Sequence, residues 1–308
     1  MKRRRFIKIM ASATACCALP SLAFASTQNS NQWHGVALGA KASLYIDHPD
    51  ASRLIKLAHN EILRLEKTFS LYLNTSVISQ LNRKGYVEEV PFELLELLSL
   101  AQQVHNATNG YFDPTIQPVW QLYAQRAMQG RRPTSEEISA VHNLVGFESV
   151  EFNAQRVAFQ KPGMALTFNG IAQGFIADKV KKLLVEEGLE NALIETGEIY
   201  ALGHKAGSKP WRVGISNGGA KPVETIALSN QAVATSSPNA TLFSEQAGAG
   251  HILNPQNCMP GDKWQLISVT DSSAAIADAL STALCLMDEQ STQKALEHFP
   301  NARLVVQS

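Results

Sequence analysis

The chain has 308 residues, enough for one large domain or two ordinary ones, and its 45% hydrophobic and 18% charged content excludes a mostly disordered protein. Its formal charge of zero hides an asymmetry. Five of the 27 basic residues and none of the acids fall in the first 25 positions, so the remainder sets 22 basic against 27 acidic side chains, a net charge of −5. That balance excludes the basic footprint of a nucleic-acid-binding surface.

The opening stretch, MKRRRFIKIMASATACCALPSLAFAS, has a basic start, an apolar middle and small residues at its end. It reads as an export signal peptide over residues 1–25, cut after Ala25. Arg3-Arg4-Arg5-Phe6-Ile7-Lys8 fits the twin-arginine pattern, so the expectation is a periplasmic protein exported already folded. The apolar run is too short to span a membrane. Ala-Thr-Ala before Cys16 is a poor match to the pattern that precedes a lipid-anchored cysteine. Cys16 and Cys17 leave with the signal. Cys258 and Cys285 remain and read as free thiols rather than a disulfide framework.

Residues 33–46 alternate and are rich in β-formers, which predicts a strand or hairpin. Asp50 is placed to cap a helix carrying Leu54, Ile55, Leu57, Ala58, Ile62, Leu63 and Leu65 at helical spacing. A loop and a short helix follow over 69–82. Helices are expected from Pro91 to about Thr108, ended by Asn109-Gly110, and over roughly 115–128. Thr134 and Glu137 form a capping box that opens a helix near 135–144. The period then changes. SVEFN, RVAFQ and ALTFN read as short strands between 149 and 169, and GIAQGFIADKVKKLLVEEG as a helix ended by Gly188. Strands are predicted in NALIETGEIYALG, WRVGISN, ETIALSNQAVATS and WQLISVTD, a helix over 272–287, and a last helix–strand pair over 291–307. Strands grouped apart from helices predict an α+β fold with antiparallel sheets. No repeat or linker divides residues 26–308, which are expected to form one elaborate domain.

Several residue types point to chemistry. Asp278 sits among apolar neighbours in SSAAIADALSTALCLM, where an unpaired carboxylate is costly. On a helix, Ser281 and Thr282 share its face. Three hard oxygens suit Mg²⁺; equally, Asp278 could be a buried residue bonded to a hydroxyl one turn on. His251 lies between a glycine-rich loop and a short apolar run. Asp113 precedes Pro114 at a helix start, where an N-cap is the simple reading. Gly170 and Gly174 flank a strand-to-helix turn whose amides can meet an anion.

Taken in order, FSLYLNTSVISQLN, GYFDPT, GIAQG, TGEI, AVATS, HILNP and ADALSTA resemble the motif series of the ApbE family, the FAD:protein FMN transferases, from about residue 35 to 290. The resemblance implies an ApbE-like (T-fold-like) domain. It implies Mg²⁺-dependent transfer of FMN from FAD to a Ser or Thr hydroxyl of an exported redox protein, with release of AMP. It places the metal on Asp278, Ser281, Thr282 and the backbone oxygen of Gly170. Tyr72 would stack on flavin, and Tyr111, Phe112 and Asp113 would line the adenosine side. Leu38, Thr167, Gln173 and Ile252 complete the expected flavin contacts. His251 would be the base beside the phosphates. Acceptors of this family carry the pattern Asp-x-x-Ser/Thr-Gly-Ala-Thr, which this chain lacks, so it is not expected to be the flavinylated partner itself. The chain departs from the family pattern at Thr167 (family Asp), Gln173 (Lys or Glu), Thr196 (Gly), Asn254 (Asp) and Asn257-Cys258 (Thr-Gly). Two alternatives therefore stand beside transfer: a periplasmic accessory protein that holds FAD or FMN, and a FAD pyrophosphatase.

Overall fold

The computed structural model describes residues 31–205, 207–219 and 221–308; the export leader expected over 1–25 lies outside them. The backbone of the fold is a seven-stranded sheet, antiparallel throughout. Its strands are β1 (Gln32–Ala37), β2 (Ala40–Ile46), β6 (Ala192–Glu195), β7 (Ile199–Leu202), β10 (Gln231–Ser236), β11 (Ile267–Asp271) and β12 (Arg303–Gln307), in that order across the sheet. Two smaller antiparallel units complete the strands. One pairs β3 (Tyr86–Glu88) and β4 (Val150–Phe152) with the central β5 (Arg156–Phe159); the other is the ribbon of β8 (Trp211–Ile215) and β9 (Glu224–Leu228). The α+β reading with antiparallel sheets is thus what the chain forms.

Eight α-helices lie among the described residues: α1 (Ala51–Phe69), α2 (Val77–Lys84), α3 (Phe92–Ala107), α4 (Gln117–Ala127), α5 (Ser135–His142), α6 (Ala172–Glu186), α7 (Ala274–Leu284) and α8 (Glu289–Glu297). None is long and apolar enough to cross a membrane. Helix α1 buries Leu54, Ala58, Ile62, Leu65 and Phe69, most of the face its spacing predicted, while Leu63 falls off that face and is 43% exposed. Each large aliphatic or aromatic side chain buried in this way contributes about 1.5–3 kcal/mol. Phe69 meets Phe175 of α6 and Phe168 edge-on, with centroids 5.5 and 5.9 Å apart.

Two local expectations differ from the structure. Asp50 precedes α1 but makes no side-chain cap, because its carboxylate is taken by Arg53. Residues 165–169 form no strand. Asn82 holds that segment instead, bonding both the N–H and the C=O of Leu166, and the Thr167 N–H donates to Pro114. A backbone satisfied by a side chain and a neighbouring loop has no need of a ladder. The Thr134–Glu137 capping box is present, and Gly188 ends α6 region with φ +83°. Cys258 and Cys285 are both buried free thiols.

The position of α7 is set by two contacts. Gly174 of α6 lies so close that a Cβ there would meet the Ala274 carbonyl oxygen at 2.1 Å, so only glycine fits. Asp178, one turn further along α6, caps α7 from outside. Its carboxylate accepts from the N–H groups of Ala274 (2.9 Å) and Ala275 (3.1 Å) and from the Ser273 hydroxyl (2.6 Å). These are donors that a helix start leaves unsatisfied. The arrangement fixes Asp278 one turn into α7.

Candidate functional site

A cavity of about 440 Å³ opens between the ends of the sheet, the loop before α6 and the 237–255 loop. Of the residues singled out from sequence, Leu38, Tyr72, Tyr111, Phe112, Asp113, Thr167, Gly170, Gln173, His251, Ile252, Asp278 and Thr282 all line it. Ser281 does not. It is fully buried behind the wall, where its Oγ lies 2.7 Å from Ser236 Oγ and donates to the Asp278 carbonyl at 3.0 Å.

The hairpin turn between β1 and β2 supplies one wall. Leu38 and Gly39 carry φ of +48° and +85°, the pair of left-handed residues that a tight two-residue turn demands. Leucine is strained there. The Leu38 N–H is held by the Glu66 carboxylate at 2.8 Å, and a Cβ on Gly39 would strike the Tyr72 ring at 2.8 Å. The turn therefore seats Tyr72, whose hydroxyl burial pushes up to about 12. Asp113 is raised by burial and partly relieved by its bonds. Its Oδ1 accepts from the Thr115 N–H and hydroxyl, and its Oδ2 accepts from the Phe147 N–H. It is the N-cap that its place before Pro114 suggested, and it sits on the cavity wall as well.

The charged end of the cavity holds two carboxylates. Asp278 is 3% exposed and accepts one hydrogen bond, from the Gly174 N–H at 3.1 Å. Burial pushes its pKa up to about 7 against that bond. Glu198 lines the same cavity and accepts from the Thr235 N–H at 3.1 Å. Burial raises its pKa well above the ordinary range, and the Asp278 charge raises it further. Two enclosed carboxylates of like charge cannot both ionise cheaply; they share a proton or a cation. Around them stand the hydroxyls of Ser236 and Thr282, 3.4 Å apart, and the Gly170 backbone. Gly170 approaches Thr282 so closely that a Cβ would meet Thr282 Oγ1 at 2.9 Å. Among the described residues no group of three or more His, Cys, Asp or Glu could hold a metal. A centre here would combine two carboxylates with hydroxyl and carbonyl oxygens. That all-oxygen set fits Mg²⁺, which takes one or two carboxylates and completes its shell with water and substrate oxygens.

Among the described residues, His251 is the only histidine on the cavity. Its Nδ1 lies 3.1 Å from the Thr241 carbonyl oxygen, which can only accept, so in the neutral ring Nδ1 carries the proton and Nε2 the lone pair. Burial lowers its pKa, and hydrogen bonds to the backbone of Thr241 and Pro238 oppose the shift.

Glu198 is the residue that motif reading missed. It lies within TGEI, and the signal available was an ionisable side chain beside Gly197 at a strand break. The exchanges at 196 and 173 are also joined in space: the buried Thr196 hydroxyl donates to the Gln173 carbonyl at 2.9 Å, and Gly197, at φ +103°, leaves room for the Gln173 side chain.

Comparison with known proteins supplies independent information. A model of the ApbE family matches residues 38–306. The chain is 29% identical over 265 residues to the FAD:protein FMN transferase of Vibrio cholerae, covering 80% of this chain and 78% of that one. It is 26% identical to the FAD:protein FMN transferase of Treponema pallidum, covering 76% and 71%. Among solved structures it resembles the ApbE protein of Thermotoga maritima, with TM-score 0.80 and 27% identity over 89% of this chain and 92% of that one. It also resembles the apo form of the flavinyl transferase ApbE of Pseudomonas stutzeri, with TM-score 0.74 and 28% identity over 86% of each.

Proposed function

The chain belongs to the ApbE family, and from that premise we propose that it transfers FMN from FAD to a Ser or Thr hydroxyl of an acceptor protein, with Mg²⁺, and releases AMP. The observation that carries the reading is the Asp278–Glu198 pair standing in the same cavity as His251.

The residues divide the work as follows. Tyr72 and Leu38 offer apolar surface to the isoalloxazine ring. Tyr111 and Phe112 offer it to the adenine, and Ile252, Thr167 and Gln173 border the space between. Asp278, Glu198, Thr282 and the Gly170 carbonyl would hold Mg²⁺, with Ser281 fixing the Asp278 backbone from behind. Bound there, Mg²⁺ would neutralise pyrophosphate charge and that developing on the AMP side. His251 Nε2 takes the proton of the acceptor hydroxyl as its oxygen bonds to the FMN phosphorus. The phosphorus–oxygen bond to AMP breaks, and AMP leaves with the electron pair. Nδ1, bonded to Thr241, keeps the imidazole oriented through the step.

The direct test is mass spectrometry of a candidate acceptor after incubation with this protein, FAD and Mg²⁺. A covalent FMN adduct is expected. The second reading, a protein that holds flavin without transferring it, draws support from the uncharged Thr167, Gln173 and Asn254 where the family pattern has charged residues. Tight flavin binding with no adduct would favour it.

Tyr72→Ala is expected to weaken FAD binding about threefold to tenfold, because an aromatic pair contributes about 0.5–1.5 kcal/mol beyond burial. A fluorescence titration measures it, and unchanged affinity would make Tyr72 a wall residue only. We further propose that the reaction takes place in the periplasm. With both Arg3→Lys and Arg4→Lys, cell fractionation should find precursor retained in the cytoplasm; normal export of that variant would point to the general secretory route.

A further inference from the structure

A second cleft, of about 490 Å³, shares a wall with the cavity just described. Gly250 and Asn254 line the second cleft, while His251, Ile252, Leu253 and Pro255 line the first, and Leu286 borders both. The wall is held by two antiparallel bridges, Leu242 to Gly250 and Leu253 to Pro260.

The second cleft is rich in donors. Neighbouring Arg126 and Arg131 both pair with Glu137. Arg132 has no carboxylate partner among the described residues; its Nε and Nη2 donate to the Ala247 and Gly248 carbonyls, which leaves Nη1 unused. Lys263 is exposed and makes no direct ion pair among them, although its charge reaches the Asp288 carboxylate at the start of α8 and helps to lower that group's pKa. Asn254 and Asn257 accept the N–H groups of Gln256 and Met259 at 2.9 Å each, so their side-chain NH₂ groups remain as donors. Asp262 is the one carboxylate among the lining residues. Met259, 44% exposed, adds a deformable apolar contact at the rim. Asn254 also stands where the family pattern has Asp, so the wall next to His251 carries one negative charge fewer. Cations and amide donors around an exposed methionine suit an acidic polypeptide segment, whose carboxylates and backbone carbonyls all accept.

We propose that this cleft, through Arg132, Asn254, Asn257, Met259 and Lys263, docks an acidic segment of the acceptor protein and so delivers its hydroxyl to His251 across the shared wall. The inference rests on the transfer reading above and names its partner's chemistry. Residues 26–308 as a whole carry a net charge of −5, so the cations of this cleft stand on a chain that is acidic overall.

The probe is a small carrier protein ending in an Asp-x-x-Ser/Thr-Gly-Ala-Thr tail, alongside the same carrier with Asn for the Asp. FMN transfer and FAD affinity are measured for the wild type, Arg132→Gln and Lys263→Glu. For the acidic tail, kcat/KM should fall at least about tenfold in Lys263→Glu, through KM, while FAD Kd stays within about twofold. The neutral tail should be a poorer substrate for the wild type and nearly insensitive to Lys263→Glu. Arg132 also steadies the Ala247 and Gly248 carbonyls, so Lys263→Glu keeps the test decisive if Arg132→Gln unfolds the loop. An unchanged kcat/KM for the acidic tail in Lys263→Glu overturns the docking proposal and leaves transfer intact. A wild-type protein that binds FAD and modifies neither tail overturns the transfer reading, and the docking inference falls with it.

Discussion

Asp278→Asn is expected to fold normally and to lose Mg²⁺-dependent AMP release by at least about 100-fold, since even residues that merely support metal ligands cost 10–100-fold when changed. The change is nearly isosteric, and the amide can still accept the Gly174 N–H. It also removes one of two like charges, so the metal-free variant should melt no lower than the wild type. The pH dependence follows in sign. Asp278 is raised from an ordinary 3.8 to about 7 in the folded protein. The folded state therefore holds a proton that the unfolded chain has already lost. The contribution of Asp278 to metal-free stability is therefore greatest below about pH 4, falls as pH rises towards 7, and is constant beyond. In Asp278→Asn that part of the slope should vanish, and in the wild type added Mg²⁺ should restore stability at pH 7. AMP release against Mg²⁺ concentration, with melting temperatures in chelator from pH 4 to 8, measures both. A folded variant with undiminished Mg²⁺-dependent release would sink the metal reading.

His251→Ala should lower FMN transfer about 10²–10⁴-fold while leaving FAD affinity nearly intact, the range expected for loss of a positioned general base. The two effects separate because, in the proposed division of work, His251 takes the proton while Tyr72 and Phe112, elsewhere on the same cavity wall, offer apolar surface to FAD. Burial lowers the pKa of His251 from 6.5, so the neutral base persists below that pH. The wild-type kcat profile should lose activity in acid only below about pH 6.5, and the residual rate of the variant should lack that limb. A variant that transfers FMN at the wild-type rate would exclude His251 as the base, whatever its place in the cavity.

Much of this molecule was legible in its sequence. The apolar spacing of α1, the capping box at Thr134, the glycine after α6 and the alternation in the sheet strands are local signals. Each depends on a few neighbouring residues, so each can be read without the fold. The motif series placed Leu38, Tyr72, Phe112, His251 and Asp278 in one site, because a short stretch of chain carries each residue to its own end of an element. The apolar neighbours of Asp278 were enough to require a partner for it, since an isolated buried carboxylate is expensive.

What it could not supply was the partner. Glu198, just before β7, comes within electrostatic reach of Asp278 because β7 pairs with β10 and α7 packs against β10, and no local pattern encodes an approach across 80 residues of chain. The same holds for Asp178, which looked like one more charge on α6 and proves to cap α7 through three hydrogen bonds. It holds for residues 165–169, whose β-forming composition was overruled when Asn82 and Pro114 satisfied their backbone. It holds for Ser281, on the face of Asp278 by helical spacing yet turned behind the wall by Ser236. Hydrogen-bond partners, the sharing of a charge and the side of a wall on which an atom falls are decided by non-local contacts. They depend on distances that only the packed chain defines.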